Sequence, residues 1–350
     1  MYCSHLFVIL QPISNKTNIM DNQYRIEFPE LMRGKKVMYV HGFASSGQSG
    51  TVTLLRQLMP EAEVVADDIP LQPDEAIDFL KRRVEEEKPD LIIGTSAGGM
   101  MTEMLYGYDR ILINPAFQMA ETMPKHGMIG KMTYQNPRKD GVQEFIVTKA
   151  LVKQYGELTE RCFDPERLTD DERQRVWGLF GDHDPVVHTF DLFREHYPQA
   201  VHFHGEHRLI DKVALHYLVP VIRWIDDRQE RREKPVLYIA IDAMRDQYDK
   251  PRSSMHQTFE TLLEKYDVYF VIPAPTNDHA AVDADRAWIE DIISAPAYDR
   301  IVMTCRPSLL LGDFIITTTD EKEFMGTCIR LGAPEFKTWE DIDTYFSRLG

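Results

Sequence analysis

Gly94-Thr95-Ser96-Ala97-Gly98 constrains this chain of 350 residues more than any other stretch. It follows an apolar run, Leu91-Ile92-Ile93, and leads into a helical pattern that starts near Gly99. A serine between two glycines, where a buried strand turns into a helix, has the nucleophile-elbow arrangement. So tight a turn needs flanks that tolerate crowding and unusual backbone angles. It lifts one hydroxyl clear of the sheet, at a helix N-terminus that favours developing negative charge.

A hydroxyl there is a weak nucleophile unless a base takes its proton and a carboxylate holds that base in the right tautomer. On such a fold the partners follow in the order Ser, Asp, His. After an expected strand at 175–180 comes Gly181-Asp182-His183-Asp184-Pro185. Asp182 and Asp184 compete for the acid; Asp184, three after the glycine and fixed by the following proline, is favoured. After an expected strand at 200–204 comes Gly205-Glu206-His207, and His207 is the candidate base. His202 and His204 share one face of that strand by its period of two and are expected to be structural. An oxyanion needs two backbone donors. Ala97 N–H supplies one, and the Gly/Ser-rich loop His41-Gly42-Phe43-Ala44-Ser45-Ser46-Gly47 points to Phe43 N–H as the other. That loop lacks both a G-x-G-x-x-G and a lysine-containing phosphate-loop pattern.

Residues 36–228 alternate apolar runs with amphipathic stretches, with strands expected at 36–40, 63–66, 90–95, 110–114, 175–180 and 200–204. Helices are expected at 51–59, 73–87, 98–107, 189–196 and 210–226. This β-α-β order predicts an α/β fold with a mostly parallel sheet covered on both faces. The alternation stops between 115 and 171, which reads as an inserted cap, methionine-bearing and helical from 142 to 155. A run of nine residues without an apolar side chain, 226–234, ends the first domain (31–232). A second α/β unit, 233–350, follows, with strands near 236–241, 267–272 and 300–304 and helices near 254–265, 280–294 and 338–348. Residues 1–30 read as a loose arm or an upstream start misassigned before Met20.

A net charge of −16 argues against nucleic acid and anionic membranes as partners. No run approaches the ~18 apolar residues of a membrane span. Four scattered cysteines, without a C-x-x-C pair, fit free thiols in a reducing cytoplasm. No metal or cofactor is expected.

Residues 36–228 resemble the small bacterial α/β-hydrolase group of the YqiA/YcfP type, in the stretches VMYVHGFASSG, LIIGTSAGGMM, ILINPAF, GLFGDHDPVV and HGEHRL. The resemblance implies a serine hydrolase of acyl esters or thioesters, with Ser96 as nucleophile, Asp184 as acid and His207 as base. Two departures bear on substrate choice: Ala44 stands where such relatives often carry asparagine, and 115–171 is longer than usual.

Residues 235–350 are similar to the haloacid-dehalogenase superfamily, nearest its 5′(3′)-deoxyribonucleotidase branch. The matching stretches are VLYIAIDAM, DVYFVIPAP, RIVMTCRPSLLLGDFIITT and FMGTCIRLGAPEFKTWEDIDTYF. Such enzymes use a pair of aspartates and Mg²⁺. Here Ala240 replaces the nucleophile, leaving Asp242 alone; Pro273 and Pro307 take the hydroxyl and lysine positions, and Thr317 and Thr318 replace paired acids. The expectation is a Rossmann-like domain inactive as a phosphatase, structural or regulatory, or a route to homo-oligomers. The competing class is a non-catalytic two-domain binding or scaffold protein.

Overall fold

The computed structural model describes residues 27–275 and 277–349. Most of the expected N-terminal arm, 1–26, lies outside them. Residues 27–30 pack on the first domain, where Phe28 is buried and Glu30 meets Arg223.

The first domain is built on a six-stranded parallel sheet of order β2-β1-β3-β4-β7-β8. Its strands are β1 Lys36–Val40, β2 Glu63–Ala66, β3 Leu91–Thr95, β4 Arg110–Ile113, β7 Val176–Gly181 and β8 Ala200–Phe203. The apolar runs fill both faces, as burial of both sides of a parallel sheet requires. Within β3, Ile92 enters one core while Leu91 and Ile93 enter the other. The helices are α1 Gly50–Leu58, α2 Pro73–Glu87, α3 Ala97–Glu103, α4 Met119–Lys125, α5 Lys149–Thr159, α6 Asp170–Gln174 and α7 Phe190–His196. Proline at the first turn and two acids after it start α2 as the pattern predicts. The chain leaves β1 for β2 on one side and returns to β3 on the other. That switch point opens a crevice at the carboxyl ends of β1 and β3, where ligands of open α/β sheets bind.

The segment between β4 and β7 departs from expectation. Residues 142–155 do not start as a helix. β5 Gly130–Thr133 and β6 Glu144–Val147 form an antiparallel hairpin, and α5 begins only at Lys149, capped by the Thr148 hydroxyl. Phe145 and Val147 point inward while Glu144 and Ile146 are exposed, so the local period is two and not 3.6. The expected helix at 210–226 is compound: α8 Asp211–Val213, a π turn Ala214–Leu218, then α9 Val219–Glu230. Pro220 offers no backbone N–H to an ordinary helical ladder, and the widened turn precedes it.

The charged run after α9 is tied down rather than freely solvated: the nearly inaccessible Asp226 carboxylate pairs with Lys35 and Arg232 at 2.6 Å each. Beyond it lies a five-stranded parallel sheet of order β11-β10-β9-β12-β13. These strands are β9 Val236–Ala240, β10 Asp267–Pro273, β11 Ile301–Thr304, β12 Phe314–Thr317 and β13 Thr327–Arg330. Around them pack α10 Ile241–Met244, α11 Met255–Lys265, α12 His279–Ile292 and α13 Trp339–Leu349. This unit docks beside β8, the edge strand of the first sheet. Ser294 Oγ donates to His202 O (3.1 Å) and Tyr298 Oη to Pro198 O (2.6 Å), while Ala295 is buried in the first domain's core. Covering that edge removes a site for unwanted strand pairing. Among the described residues no helix is long and apolar enough to cross a membrane.

Candidate active site

Ser96 lies between β3 and α3 with φ 55° and ψ −122°, a strained conformation for a residue with a Cβ. Neighbouring backbone holds it there: Ser96 N–H donates to Ile113 O at 2.9 Å, and Ser96 O accepts from Ala116 N–H at 3.0 Å. The turn works only because its surroundings are small. A Cβ on Gly98 would sit 2.2 Å from Val40 O, and one on Gly42 would meet Ser96 Cβ at 3.2 Å.

The loops after β7 and β8 bring the other two predicted residues to the same rim. His207 Nε2 is 3.0 Å from Ser96 Oγ, and His207 Nδ1 is 2.7 Å from Asp184 Oδ2. An ionised carboxylate only accepts, so the proton sits on Nδ1 and Nε2 is free to accept from the serine hydroxyl. The second carboxylate oxygen, Asp184 Oδ1, accepts from Val186 N–H (2.7 Å) and Val187 N–H (3.1 Å). Burial works to raise the Asp184 carboxyl, but the hydrogen bonds from His207, Val186 and Val187 outweigh it and hold the group below its ordinary value. The Asp184 side chain is inaccessible to solvent while His207 remains a quarter exposed. The carboxylate is thus dry and fixed, and the imidazole can be reached.

Asp182, the competing acid, does other work. It accepts from His183 Nδ1 (2.6 Å), His204 Nδ1 (2.7 Å) and Gly205 N–H (3.0 Å), clasping the β7 loop to the β8 loop. Burial opposes ionisation, yet these bonds bring its carboxyl down to about 2.

Phe43 and Ala97 come from the two sides of the switch point. Ala97 is the first residue of α3, so its N–H has no carbonyl one turn earlier to meet. The loop that carries Phe43 is fixed through His41, which is buried and held neutral: burial lowers its imidazole to about 4. Its Nε2 accepts from Ile69 N–H at 3.0 Å, so Nδ1 carries the proton given to Gly42 O at 2.9 Å. Ala44 adopts φ 59°, a left-handed conformation that asparagine tolerates better than alanine. The segment around the hairpin braces this residue from outside, with Gln135 N–H on Ala44 O at 2.8 Å and Asn136 Nδ2 on Ser45 Oγ at 3.1 Å.

Sequence reading missed Asn114. It sits after β4 with φ 44°, and its side chain ties three loops together. Asn114 Oδ1 accepts from Gly181 N–H at 2.8 Å, while Nδ2 donates to Glu206 O (3.2 Å) and His207 O (3.1 Å). The available signal was a polar residue closing an otherwise apolar strand, before a proline.

Beside Ser96 lies a cavity of about 20 Å³ lined by Phe43, Ala44, Ile69, Leu71, Met101 and Tyr155 among others. The Phe43 ring meets Phe145 and Tyr155 edge-on at 5.6 and 5.7 Å, and Tyr155 Oη is pinned to Leu71 O at 3.2 Å.

The second sheet has its own switch point, between β9 and β12. Ala240 ends β9 there, and Asp242 follows. One oxygen of the Asp242 carboxylate, Oδ2, is engaged by threonines: Thr318 gives both its N–H (3.1 Å) and its hydroxyl, and the Thr317 hydroxyl lies at 3.4 Å. These residues do not fit a divalent cation, which needs several open oxygen ligands. Among the described residues no group of three or more His, Cys, Asp or Glu is arranged to hold a metal.

The model of an uncharacterised protein family, UPF0227, matches residues 36–211. A protein of Vibrio phage KVP40, whose name proposes a 5′(3′)-deoxyribonucleotidase, is 25% identical over 151 residues, covering 34% of this chain and 89% of its own length. Among solved structures, Est1E from Butyrivibrio proteoclasticus aligns at 15% identity with a TM-score of 0.40, over 59% of this chain and 93% of its own. The esterase domain of a Rhodothermus marinus protein aligns at 14% identity with a TM-score of 0.35, over 52% and 82%.

Proposed function

This chain belongs to the uncharacterised protein family UPF0227, and we propose that it is a serine hydrolase of carboxylic esters or thioesters. Ser96 Oγ attacks the acyl carbon as His207 Nε2 takes its proton. Asp184 keeps the imidazole oriented and stabilises the imidazolium. The N–H groups of Phe43 and Ala97 receive the oxyanion, and His207 then protonates the leaving alkoxide or thiolate. Water, deprotonated by the same imidazole, resolves the acyl-enzyme. The observation that carries this reading is the unbroken chain from Ser96 Oγ through both His207 nitrogens to a dry Asp184, at 3.0 and 2.7 Å.

The cavity beside Ser96 supports a short acyl group. Its 20 Å³ is little more than the space one water needs, and its walls are aromatic and mutually braced. We propose acetyl- to propionyl-sized substrates. The second domain, with Ala240 in place of a carboxylate and Asp242 bound by threonines, is proposed to have no phosphatase activity.

A fluorophosphonate probe and a panel of acetyl, butyryl and octanoyl esters and thioesters test this on the wild type and Ser96→Ala. The expected outcome is labelling at Ser96, turnover falling from acetyl to octanoyl, and a loss of about 10⁴–10⁶ in the variant with its fold intact. An unlabelled Ser96 together with an unaltered rate in the variant would leave the scaffold reading in its place.

A further inference from the structure

The two domains touch through residues 294–298, but beside that contact they stand apart and enclose a cavity of about 300 Å³. That volume is at the lower end for small-molecule sites. One wall is a single face of α11, His256, Phe259, Glu260 and Leu263, at the helical spacing of three, four and seven. The opposite wall is the π turn and its approach, including Lys212, Leu215 and His216. The His204–Asp291 pair, at 2.9 Å, closes one side. The cavity is lined by neither Ser96 nor any other serine, threonine or cysteine.

The lining mixes apolar side chains, among them Leu215, Phe259 and Leu263, with histidines and carboxylates. Glu260 Oε1 is buried and has no hydrogen-bond partner among the described residues. Its burial, with nothing to offset it, pushes the carboxyl up to about 7. The rings of His216 and His256 lie 6.4 Å apart across the gap. Burial lowers both, His216 to about 4, and the Lys212 ammonium lowers both further, so both imidazoles are neutral near pH 7. Lys212 itself is exposed. The interior therefore offers a carboxyl short of a donor, two neutral rings and aromatic and aliphatic surface. An anion would meet the Glu260 and Asp291 carboxyls, while the lining's one ammonium, Lys212, is exposed.

We propose that the gap between α11 and the π turn binds a small organic amine with an apolar body. Its N–H group donates to Glu260, and its body packs on Phe259, Leu263 and Leu215. Such an occupant supplies the donor that the buried oxygen lacks and replaces a void between two helices with contact. A ligand lacking the donor leaves the carboxyl as it was.

The test uses the full chain and three probes of one shape: benzylamine, benzyl alcohol and benzoate. Binding is read by calorimetric titration and by the imidazole NMR signals of His216 and His256. Benzylamine is expected to bind with one-to-one stoichiometry, more tightly than the other two, and to shift both ring signals. Glu260→Gln should weaken it about tenfold. Glu260→Leu should abolish binding while raising the melting temperature of the free protein, because a buried unpaired carboxyl has gone. Ester turnover should not change in either variant. The proposal is overturned if benzoate binds as well as benzylamine, if none of the three probes moves the His216 and His256 signals, or if Glu260→Leu binds like wild type.

Discussion

Two parallel sheets in one chain each carry a switch point, and the same place in the topology holds opposite chemistry. In the first sheet, the loops after β3, β7 and β8 bring a hydroxyl, a carboxylate and an imidazole together at one crevice. There Asp184 is dry and bonded at both oxygens, whereas Ser96 is partly exposed and His207 is a quarter exposed. In the second sheet, Ala240 ends β9 and Asp242 follows it, with Thr317 ending β12 and Thr318 next after it. There one carboxylate oxygen of Asp242 is taken up by the two threonines, and no second carboxylate stands at Ala240. A crevice at strand ends is thus a consequence of topology, whereas reactivity depends on leaving groups unsatisfied at the place where a substrate arrives.

The comparison is broken most sharply by exchanging one atom. Asp184→Asn keeps the shape but offers His207 Nδ1 an amide, which favours the wrong tautomer. Turnover of a short ester should fall by about 10³–10⁴. Asp182→Asn, two residues away, should change kcat by less than about tenfold, since Asp182 clasps loops and does not touch His207. Equal losses in the two variants would mean that the loop as a whole, rather than the Asp184–His207 bond, is what matters. In the other domain the converse exchange, Ala240→Asp, should yield no Mg²⁺-dependent phosphate release from nucleoside monophosphates, because the threonines still occupy Asp242. Measurable release by that variant, or by the clean wild type, would overturn the assignment.

Asn114 sharpens the contrast at the level of positioning. Its amide joins the loop after β4 to the loops that carry Asp184 and His207. Asn114→Ala should lower kcat by about 10- to 100-fold, the scale expected when a reacting group shifts by around an ångström. KM should stay nearly constant, because the cavity beside Ser96 is untouched. A change in KM alone would assign Asn114 to substrate contact instead.

What could be read from the sequence divides along physical lines. The inner strands of the first sheet were legible because each is a largely buried run such as Leu91-Ile92-Ile93. The candidate site was legible because Ser96, Asp184 and His207 each follow such a run. Residues 142–155 were not: β6 is four residues long, too short for its period of two to stand out beside the helix that Thr148 caps. β12 and β13 are equally short, and only the resemblance pointed to them. Asn114 escaped because its role lies in three distant backbone partners. The docking of Ser294 and Tyr298 on β8 depends on pairings over 92 and 100 positions, which no local pattern records.

Asp242 supplies a smaller test in the second sheet. If its carboxylate is a structural knot, Asp242→Asn loses charge-assisted acceptance from Thr317 and Thr318. The domain should then be less stable by about 1–3 kcal/mol in chemical denaturation. Ester turnover should be unaffected. Unchanged stability would mean that the threonines do not hold the carboxylate in solution.

The smallest expected effect lies between the two sheets, at His204. The hydrogen bond it donates to Asp182 raises its imidazole above the ordinary 6.5, opposed by burial and helped by Asp291 from the second domain. A group whose folded value is raised contributes stability that is complete below the unfolded value and lost as pH rises through the folded one. Asp182 has the opposite sign: its contribution is complete above 3.8 and lost as pH falls toward about 2. The clasp is therefore fully formed between about pH 4 and 6.5 and loosens on either side. His204 is more than half exposed, so screening limits its part to a few tenths of a kcal/mol, about the value of a surface pair. Melting temperatures of wild type and His204→Gln should differ most near pH 5.5 and converge as pH rises above the ordinary imidazole range. A difference that instead grows with pH would mean that His204 acts at the domain boundary through packing and not through charge.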